Sequence, residues 1–309
     1  MLLHECADTL ESLAVDARSA VDAKCIFINS VGKTIKYPHL KSLWLFVETD
    51  SLDLHCNLTS PQVFLPRLAR LHIEGEYPFN NDELLKSTSK TLEAVSISMN
   101  ASLLAILGKS NAFNSASYPN MRLVTLFYSP SVADRVDHSQ FVLYAARVAQ
   151  SQAALELHAA SYIDDFVASI LQGPPIQTLQ YLNLERARLS LSSLFSLVSL
   201  LPRLSQISFG YFVLDELYLE LSRTGLHDHV ASKWGALSKN LQYCHISCYE
   251  EKGVDAMATC GMLLSISCAR FTRLVVHGLL NEKLNKSIER ALEKEPFVQY
   301  EEQLRRLVF

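Results

Sequence analysis

A six-residue pattern of apolar positions recurs along the chain. Positions 1, 4 and 6 are apolar, as in Leu179, Leu182 and Leu184, and the positions between them are mixed. The first positions of the ten copies are Leu10, Leu40, Leu68, Leu92, Met121, Gln152, Leu179, Leu204, Leu241 and Phe271. Of the thirty positions that the pattern makes apolar, only Gln152 is polar. The first and last copies begin 261 residues apart, so the mean period is 29 residues.

Each copy predicts a short strand, because positions 4 and 6 are two residues apart and point to the same face of an extended chain. Helix-like runs separate several copies, such as residues 190–201. Four copies carry a proline two residues before the first position, where it stops an incoming helix. These prolines are Pro38, Pro66, Pro119 and Pro202. We therefore predict an α/β solenoid of about ten irregular repeats, with parallel strands on one face and helices or loops on the other.

With these residues the chain resembles the leucine-rich-repeat superfamily over roughly residues 1–280, because its period and its Leu-x-x-Leu-x-Leu core are typical of that superfamily. The uneven repeat lengths and the x-Pro-x-Leu segments look most like the repeat region of fungal F-box/leucine-rich-repeat proteins. The resemblance implies a horseshoe whose concave face, made of the strands, binds a protein. It also implies substrate recognition for an SCF-type ubiquitin ligase. A ligase adaptor is expected as a partner only if an F-box lies upstream, since none is visible here.

One feature departs from regular members of that superfamily. They place Asn or Cys three residues after the last apolar position, where the side chain bonds to the loop backbones. Among the ten copies only Asn100 fits this rule. We therefore expect irregular loops and a less uniform curve.

We expect residues 1–309 to form a single solenoid domain, because a solenoid grows by adding repeats to one continuous core. Residues 1–15 are predicted to be an uncapped, partial first repeat that exposes Leu2, Leu3, Leu10 and Leu13. We therefore expect either a longer native product or self-association through this end. The long interval after Leu204 predicts a helical insertion at 213–238. The balanced charges of residues 281–309 predict a C-terminal cap.

Charge and cysteine usage narrow the classes of partner. The formal net charge of −4 gives no basic excess for binding nucleic acid or an anionic membrane. Apolar runs such as 194–201 are too short to span a bilayer, and Glu5 and Asp8 come too early for a signal peptide. The seven cysteines are odd in number and include no Cys-x-x-Cys, which favours free thiols in a reducing compartment. We therefore expect a cytoplasmic or nuclear protein.

Three segments suggest chemistry, and each lacks part of the pattern that the chemistry needs. Residues 31–34 read Val-Gly-Lys-Thr, but a phosphate-binding loop needs a glycine where Phe27 stands. The four cysteines between 244 and 268 are mostly too far apart for a structural zinc site. The His-Asp-His at 227–229 has no nucleophile motif such as Gly-x-Ser-x-Gly beside it. We expect no catalytic residue, cofactor or metal site, and a hydrolase around His227 is the least favoured alternative.

Positions 3, 5 and 7 of each copy alternate with the apolar ones and are predicted to line the concave face. Aromatic and arginine side chains are enriched at protein interfaces, so those on this face are the candidate ligand-binding residues. They are Trp44, Phe46, Arg70, His72, Phe127, Tyr181, Tyr243, His245, Arg273 and His277. For Trp44 and Phe46 the alternative is that a loop or terminal segment covers them.

The order of the strands predicts two patches of these residues with small polar side chains between them. The first patch is Trp44, Phe46, Arg70 and His72, and the second is Tyr243, His245, Arg273 and His277. Such a surface suits an extended protein ligand better than a small molecule, which needs a closed pocket. We therefore predict a non-catalytic protein-interaction module. Two roles remain open: substrate recognition for a ubiquitin ligase, and a ligase-independent scaffold or inhibitor.

Overall fold

The structure is a computed structural model, and it describes residues 5–17, 25–28, 33–47, 65–75, 83–99, 101–110, 113–128, 138–159, 163–213, 240–248, 270, 272–278 and 298–302. The chain divides into two compact units, Met1–Leu155 and Glu156–Phe309.

Five parallel strands follow one another in chain order in the first unit. They are β1 (Ser12–Ala17), β2 (Ser42–Val47), β3 (Arg70–Gly75), β4 (Ala94–Met99) and β5 (Leu123–Tyr128). The register aligns the fourth positions of the pattern, so that Leu13, Leu43, Leu71, Val95 and Val124 stand side by side. Each of these strands begins two residues after the first position of its copy, which confirms the predicted strand positions.

Helices lie between the later strands of this unit. They are α1 (Glu83–Thr88), α2 (Ala101–Ser110) and α3 (His138–Ser151). In α2 the buried Leu103 and Leu107 lie four residues apart, and in α3 the buried Phe141, Ala145 and Val148 are separated by four and three residues. This spacing brings the apolar side chains to one side of each helix and buries them.

Burial alternates along the strands as the pattern predicts. In β2 Leu43 and Leu45 are fully buried, while Trp44 between them is 43% exposed. Burying a leucine side chain contributes roughly 1.5–3 kcal/mol. A register shift of one residue would exchange the two faces and lose this contribution in every strand.

The four x-Pro-x-Leu segments form the same turn. The residue before proline accepts a hydrogen bond at its carbonyl from the N–H three residues later, as from Leu68 to Leu65 (3.2 Å) and from Leu204 to Leu201 (2.9 Å). The turns at Tyr37–Leu40 and Tyr118–Met121 have the same bond. Proline therefore occupies the second position of a β-turn, where its fixed φ is favourable. The turn directs the chain into the next strand.

The second unit repeats the arrangement. Its parallel strands, again in chain order, are β7 (Tyr181–Ser190), β8 (Gln206–Val213), β9 (Tyr243–Cys248), β10 (Arg273–Gly278) and β11 (Val298–Glu302). Within the described residues its helices are α4 (Ile163–Gln172) and α5 (Leu191–Leu200), and β6 (Ala154–His158) contains the boundary between the units. Ser190 caps α5 by accepting a hydrogen bond from the N–H of Ser193 (3.1 Å).

The segment predicted as a C-terminal cap, 281–309, contains β11, which pairs in parallel with β10. This strand is an addition to the ten that the pattern predicted. The rest of that segment lies outside the described residues, as does the insertion predicted at 213–238 beyond Val213.

Near the N-terminus the predicted exposure of Leu13 is wrong. Leu13 is only 7% exposed, because it pairs in register with Leu43 of β2 and lies against the core. Leu10 is half-buried, while Leu2 and Leu3 lie outside the described residues. None of the helices in the described ranges is both long and apolar enough to cross a membrane.

Candidate functional site

The side chains that alternate with the buried ones form a surface that we call the strand face. In the first unit it consists of positions 3, 5 and 7 of β1–β5, which run from Ser12 to Phe127. Among the large apolar residues described on this face, Trp44 is the most exposed, at 43%. Phe46 and Phe127 are half-buried.

Three aromatic side chains lie around His72 on the strand face. Trp44 stacks on the imidazole, with ring centroids 4.7 Å apart and planes at 29°. Phe46 lies 5.5 Å from the imidazole in a tilted arrangement, and Phe127 lies 6.0 Å away with its edge towards it. We call Trp44, Phe46, His72 and Phe127 the aromatic cluster.

The strand register explains most of this cluster. Trp44 is directly opposite His72 across β2 and β3, and Phe46 is its diagonal neighbour. Phe127 lies two strands away from His72 on β5, and the small side chains of β4, Ser96 and Ser98, leave room for its ring. The order of the strands predicted small polar side chains at these positions and a first patch that did not include Phe127. The structure brings Phe127 into that patch.

Hydrogen bonds orient two rings of the cluster, those of His72 and Trp44. His72 Nδ1 lies 2.9 Å from Ser96 Oγ, and Trp44 Nε1 donates to Ser42 Oγ at 2.9 Å. His72 Nε2 is buried and has no hydrogen-bond partner within the described residues, although Glu74 Oε2 lies 3.5 Å away. Because the indole N–H is already paired, Trp44 offers a partner the face of its ring rather than a donor.

Charged side chains lie at opposite ends of the same face. Arg70 begins β3 and is exposed, and its register neighbours are Ser42 and Ala94 rather than the aromatic cluster. At the carboxyl ends of the strands, Asp16 and Glu74 are exposed on either side of Phe46. Arg70 was predicted from the sequence as a candidate residue, and the two acids were not. Both acids occupy position 7 of their copies, and this shared position could have identified them.

The strand face of the second unit is more polar. The Tyr181 hydroxyl donates to Glu156 Oε1 at 2.9 Å, and His158 Nε2 lies 3.9 Å from the other carboxylate oxygen. His245 Nε2 and Gln206 Nε2 lie 3.3 Å apart, so a hydrogen bond between them needs the acceptor tautomer of the histidine. Tyr181 and His245 are therefore held by neighbours on the same face.

The remaining predicted residues are placed by the backbone register alone. Tyr243 is half-buried and stands opposite Arg273, and His277 stands opposite Ser247. The side chains of Arg273 and His277 lie outside the described residues. The backbone of β9 and β10 therefore brings the members of the predicted second patch to neighbouring positions.

The segments with candidate chemistry are only partly described. Thr34 pairs with Ile28 in an antiparallel bridge, and the N–H of Ile35 donates to the carbonyl of Phe27 at 2.8 Å. A phosphate-binding loop instead leads into a helix. Cys244 is buried, as its place in the pattern predicted. The histidines at 227 and 229 lie outside the described residues, and within those residues no group of three or more His, Cys, Asp or Glu is placed to hold a metal ion.

Burial is the main cause of the raised pKa of two tyrosines, Tyr37 and Tyr144. It raises the pKa of Tyr37 to about 12, and the Tyr37 hydroxyl donates to the carbonyl of Ile26 at 2.6 Å. Burial also raises the pKa of Tyr144 well above its usual range, with a smaller contribution from Tyr118. Both tyrosines are therefore neutral at physiological pH, and the Tyr144 hydroxyl has no hydrogen-bond partner within the described residues.

Comparison of the chain with family models and with curated proteins gives no match.

Proposed function

We propose that this chain is a non-catalytic leucine-rich-repeat module whose strand face binds a protein ligand. The proposal takes the strands as the concave side of a horseshoe of about ten irregular repeats. The observations that support it are the aligned parallel strands and the start of each of β1–β10 two residues after the first position of its copy. Such repeats present extended concave surfaces to other proteins.

The aromatic cluster is the observation that carries the proposal. A tryptophan that is 43% exposed leaves apolar surface in water, and stacking on His72 together with the hydrogen bond to Ser42 holds its ring in one orientation. Aromatic side chains held rigidly in this way lose little conformational entropy on binding and are typical interface hot spots. The second unit adds Tyr181, Tyr243 and His245 on its own strand face.

Two cellular roles fit the same binding face. The first is substrate recognition for an SCF-type ubiquitin ligase, and the second is a scaffold or inhibitor that works without a ligase. Affinity purification with mass spectrometry separates them: a reproducibly recovered ligase adaptor supports the first, and its reproducible absence supports the second.

The binding face itself is tested with variants used as bait in the same purification. Trp44→Ala and Tyr243→Ala are each expected to lower the affinity for a specifically recovered partner by about tenfold or more, because truncating an interface aromatic typically has an effect of this size. Leu143→Ala is the matched control, since Leu143 is 54% exposed on helix α3. Partner binding equal to the wild type in both aromatic variants, with unchanged melting temperatures, would show that the strand face is not the interface.

A further inference from the structure

The aromatic cluster has acidic side chains at one end. Asp16, Phe46 and Glu74 occupy the same register level on β1, β2 and β3. Neighbouring strands are about 4.8 Å apart, so the carboxylates flank the phenyl ring across about 10 Å of surface. Asp16 is exposed, and 62% of the Glu74 side chain is exposed. Negative charge therefore borders the aromatic surface on two sides.

The strand face of the first unit carries little positive charge near these acids. Within its described positions Arg70 is the one side chain that is always cationic. It lies four residues before Glu74, about 13 Å away along β3. His72 Nε2 is 3.5 Å from Glu74 Oε2 and compensates its charge only when protonated. Asp16 and Glu74 are thus available to a cation on a partner.

Trp44 is suited to the same cation. Its N–H is paired with Ser42, and its neighbour on β1 is Ala14, whose methyl group leaves that side of the ring open. Indole faces attract cations more strongly than other aromatic side chains do. A guanidinium group stacks on such a face and also directs N–H donors at carboxylates, whereas a lysine ammonium is a more strongly hydrated point charge.

We propose that the strand face of the first unit binds an arginine side chain in an extended segment of the protein partner. The guanidinium stacks on Trp44, and Asp16 and Glu74 supply the opposing charge on either side. This inference rests on the proposed function, because it names the kind of ligand that the same face takes.

Random 12-residue peptides displayed on phage provide the test. They are selected on the immobilised 309-residue chain and then depleted on the Trp44→Ala variant. The enriched peptides are expected to share an arginine. Substituting that arginine by glutamine in a synthetic peptide should weaken binding by about tenfold, as expected for loss of a cation–π contact together with its ion pairs. Isothermal titration calorimetry measures the affinity.

A double variant, Asp16→Asn with Glu74→Gln, isolates the carboxylates. Against it the arginine peptide should lose most of its advantage over the glutamine peptide. The control Asp8→Asn with Glu93→Gln makes the same change in net charge at exposed positions outside the strand face and should keep that advantage.

Three results would overturn the proposal. Enriched peptides that need Trp44 but contain no arginine would contradict the cationic ligand and leave the proposed binding face intact. Equal affinity for arginine and lysine peptides would contradict the stacked guanidinium. If no enriched peptide depends on Trp44, both this proposal and the proposed function fail.

Discussion

Gln152 shows why a polar residue replaces leucine in one copy of the apolar pattern. It is buried, and its side-chain amide donates to the carbonyl of Phe113. Phe113 has a left-handed φ of 61°, an uncommon conformation for a residue other than glycine. The amide supplies a partner for a buried carbonyl at this turn. The sequence marked the position as an exception but held no sign of a partner 39 residues away.

The pattern and the structure make opposite predictions for Gln152→Leu. The pattern suggests that leucine restores the repeat and stabilises the fold. The structure predicts a loss of about 1–3 kcal/mol in the free energy of unfolding, because the carbonyl of Phe113 loses a buried partner. Urea denaturation measures this energy. Gln172→Leu, at an exposed glutamine on α4, is the control and should change it little. A stabilised Gln152→Leu variant would contradict the proposed role of the amide.

Tyr37 gives the stability a pH dependence. Its pKa is raised from 10.0 to about 12 by burial, so the folded chain keeps the phenol neutral at pH values where the unfolded chain ionises it. The stabilisation is fully present below pH 10 and is lost as the pH rises from about 10 to about 12. The difference in unfolding free energy between the wild type and Tyr37→Phe should therefore shrink over this range. Denaturation at a series of pH values checks it, and a constant difference would contradict the assignment.

The sequence predicted the positions of individual site residues better than the contacts among them. Alternation along β2 is enough to place Trp44 on the exposed side, and a period that repeats across strands is enough to place His72 beside it. Phe127 was missed as a member because its ring reaches across β4, and that reach depends on the size of Ser96 and Ser98. Contact across a whole strand is a property of packing and not of the spacing along one segment.

At the scale of elements, main-chain hydrogen bonds hold adjacent repeats in register, as a ladder of asparagine side chains does in regular repeats. The carbonyl of the residue that follows the first position of one copy accepts two N–H groups. They come from the last residue before the next strand and from the first residue of that strand. Lys41 accepts from Ala69 and Arg70 at 2.9 Å, and Ala69 accepts from Glu93 and Ala94 at 2.8 and 3.0 Å. The same paired bonds recur at Glu11, Glu93, Gln180 and Ser205. Register is thereby held at the start of each strand, which explains why the scarcity of asparagine does not prevent alignment.

Strand and helix positions followed from the sequence because burial sets them. The helix-like run predicted at 190–201 is found as the helix Leu191–Leu200 with Ser190 as its N-cap. β11 was not predicted, since Val298–Glu302 alternates apolar and polar residues without the leucines of the pattern. Its pairing with β10 comes from an open strand edge, which accepts any extended segment.

Two glycines at the level of single elements should respond in opposite ways to alanine. Gly75 ends β3 with a φ of +86°, and an added Cβ would lie 1.9 Å from the carbonyl oxygen of Val47. Gly75→Ala should cost at least about 1–2 kcal/mol from the left-handed backbone alone, and more from the clash. Gly108, in α2, has no atom within 4 Å of an added Cβ, so Gly108→Ala should stabilise by about 0.5–1 kcal/mol. Thermal denaturation of both variants decides, and a neutral Gly75→Ala would contradict the β3 geometry.

At the scale of the whole molecule, order along the chain becomes order in the sheet of each unit. In the first unit β1 to β5 pair strictly in sequence, and in the second β7 to β11 do the same. A chain built this way has mostly nearest-neighbour contacts, so its stability is approximately a sum over repeats and their interfaces. A core defect should then act on its own neighbourhood.

Leu71→Ala tests this directly. Leu71 is 2% exposed and stands between Leu43 and Val95, so its truncation should cost about 2–5 kcal/mol at that place. Hydrogen exchange measured by mass spectrometry should show faster exchange in peptides from β2, β3 and β4, with little change in peptides from β7 and β8. The mirror variant Ile207→Ala, at a fully buried position of β8, should speed exchange in β7, β8 and β9 and spare β2 to β4. Equal acceleration in both units by either variant would mean that the chain opens as one cooperative body, and the nearest-neighbour account would then be wrong.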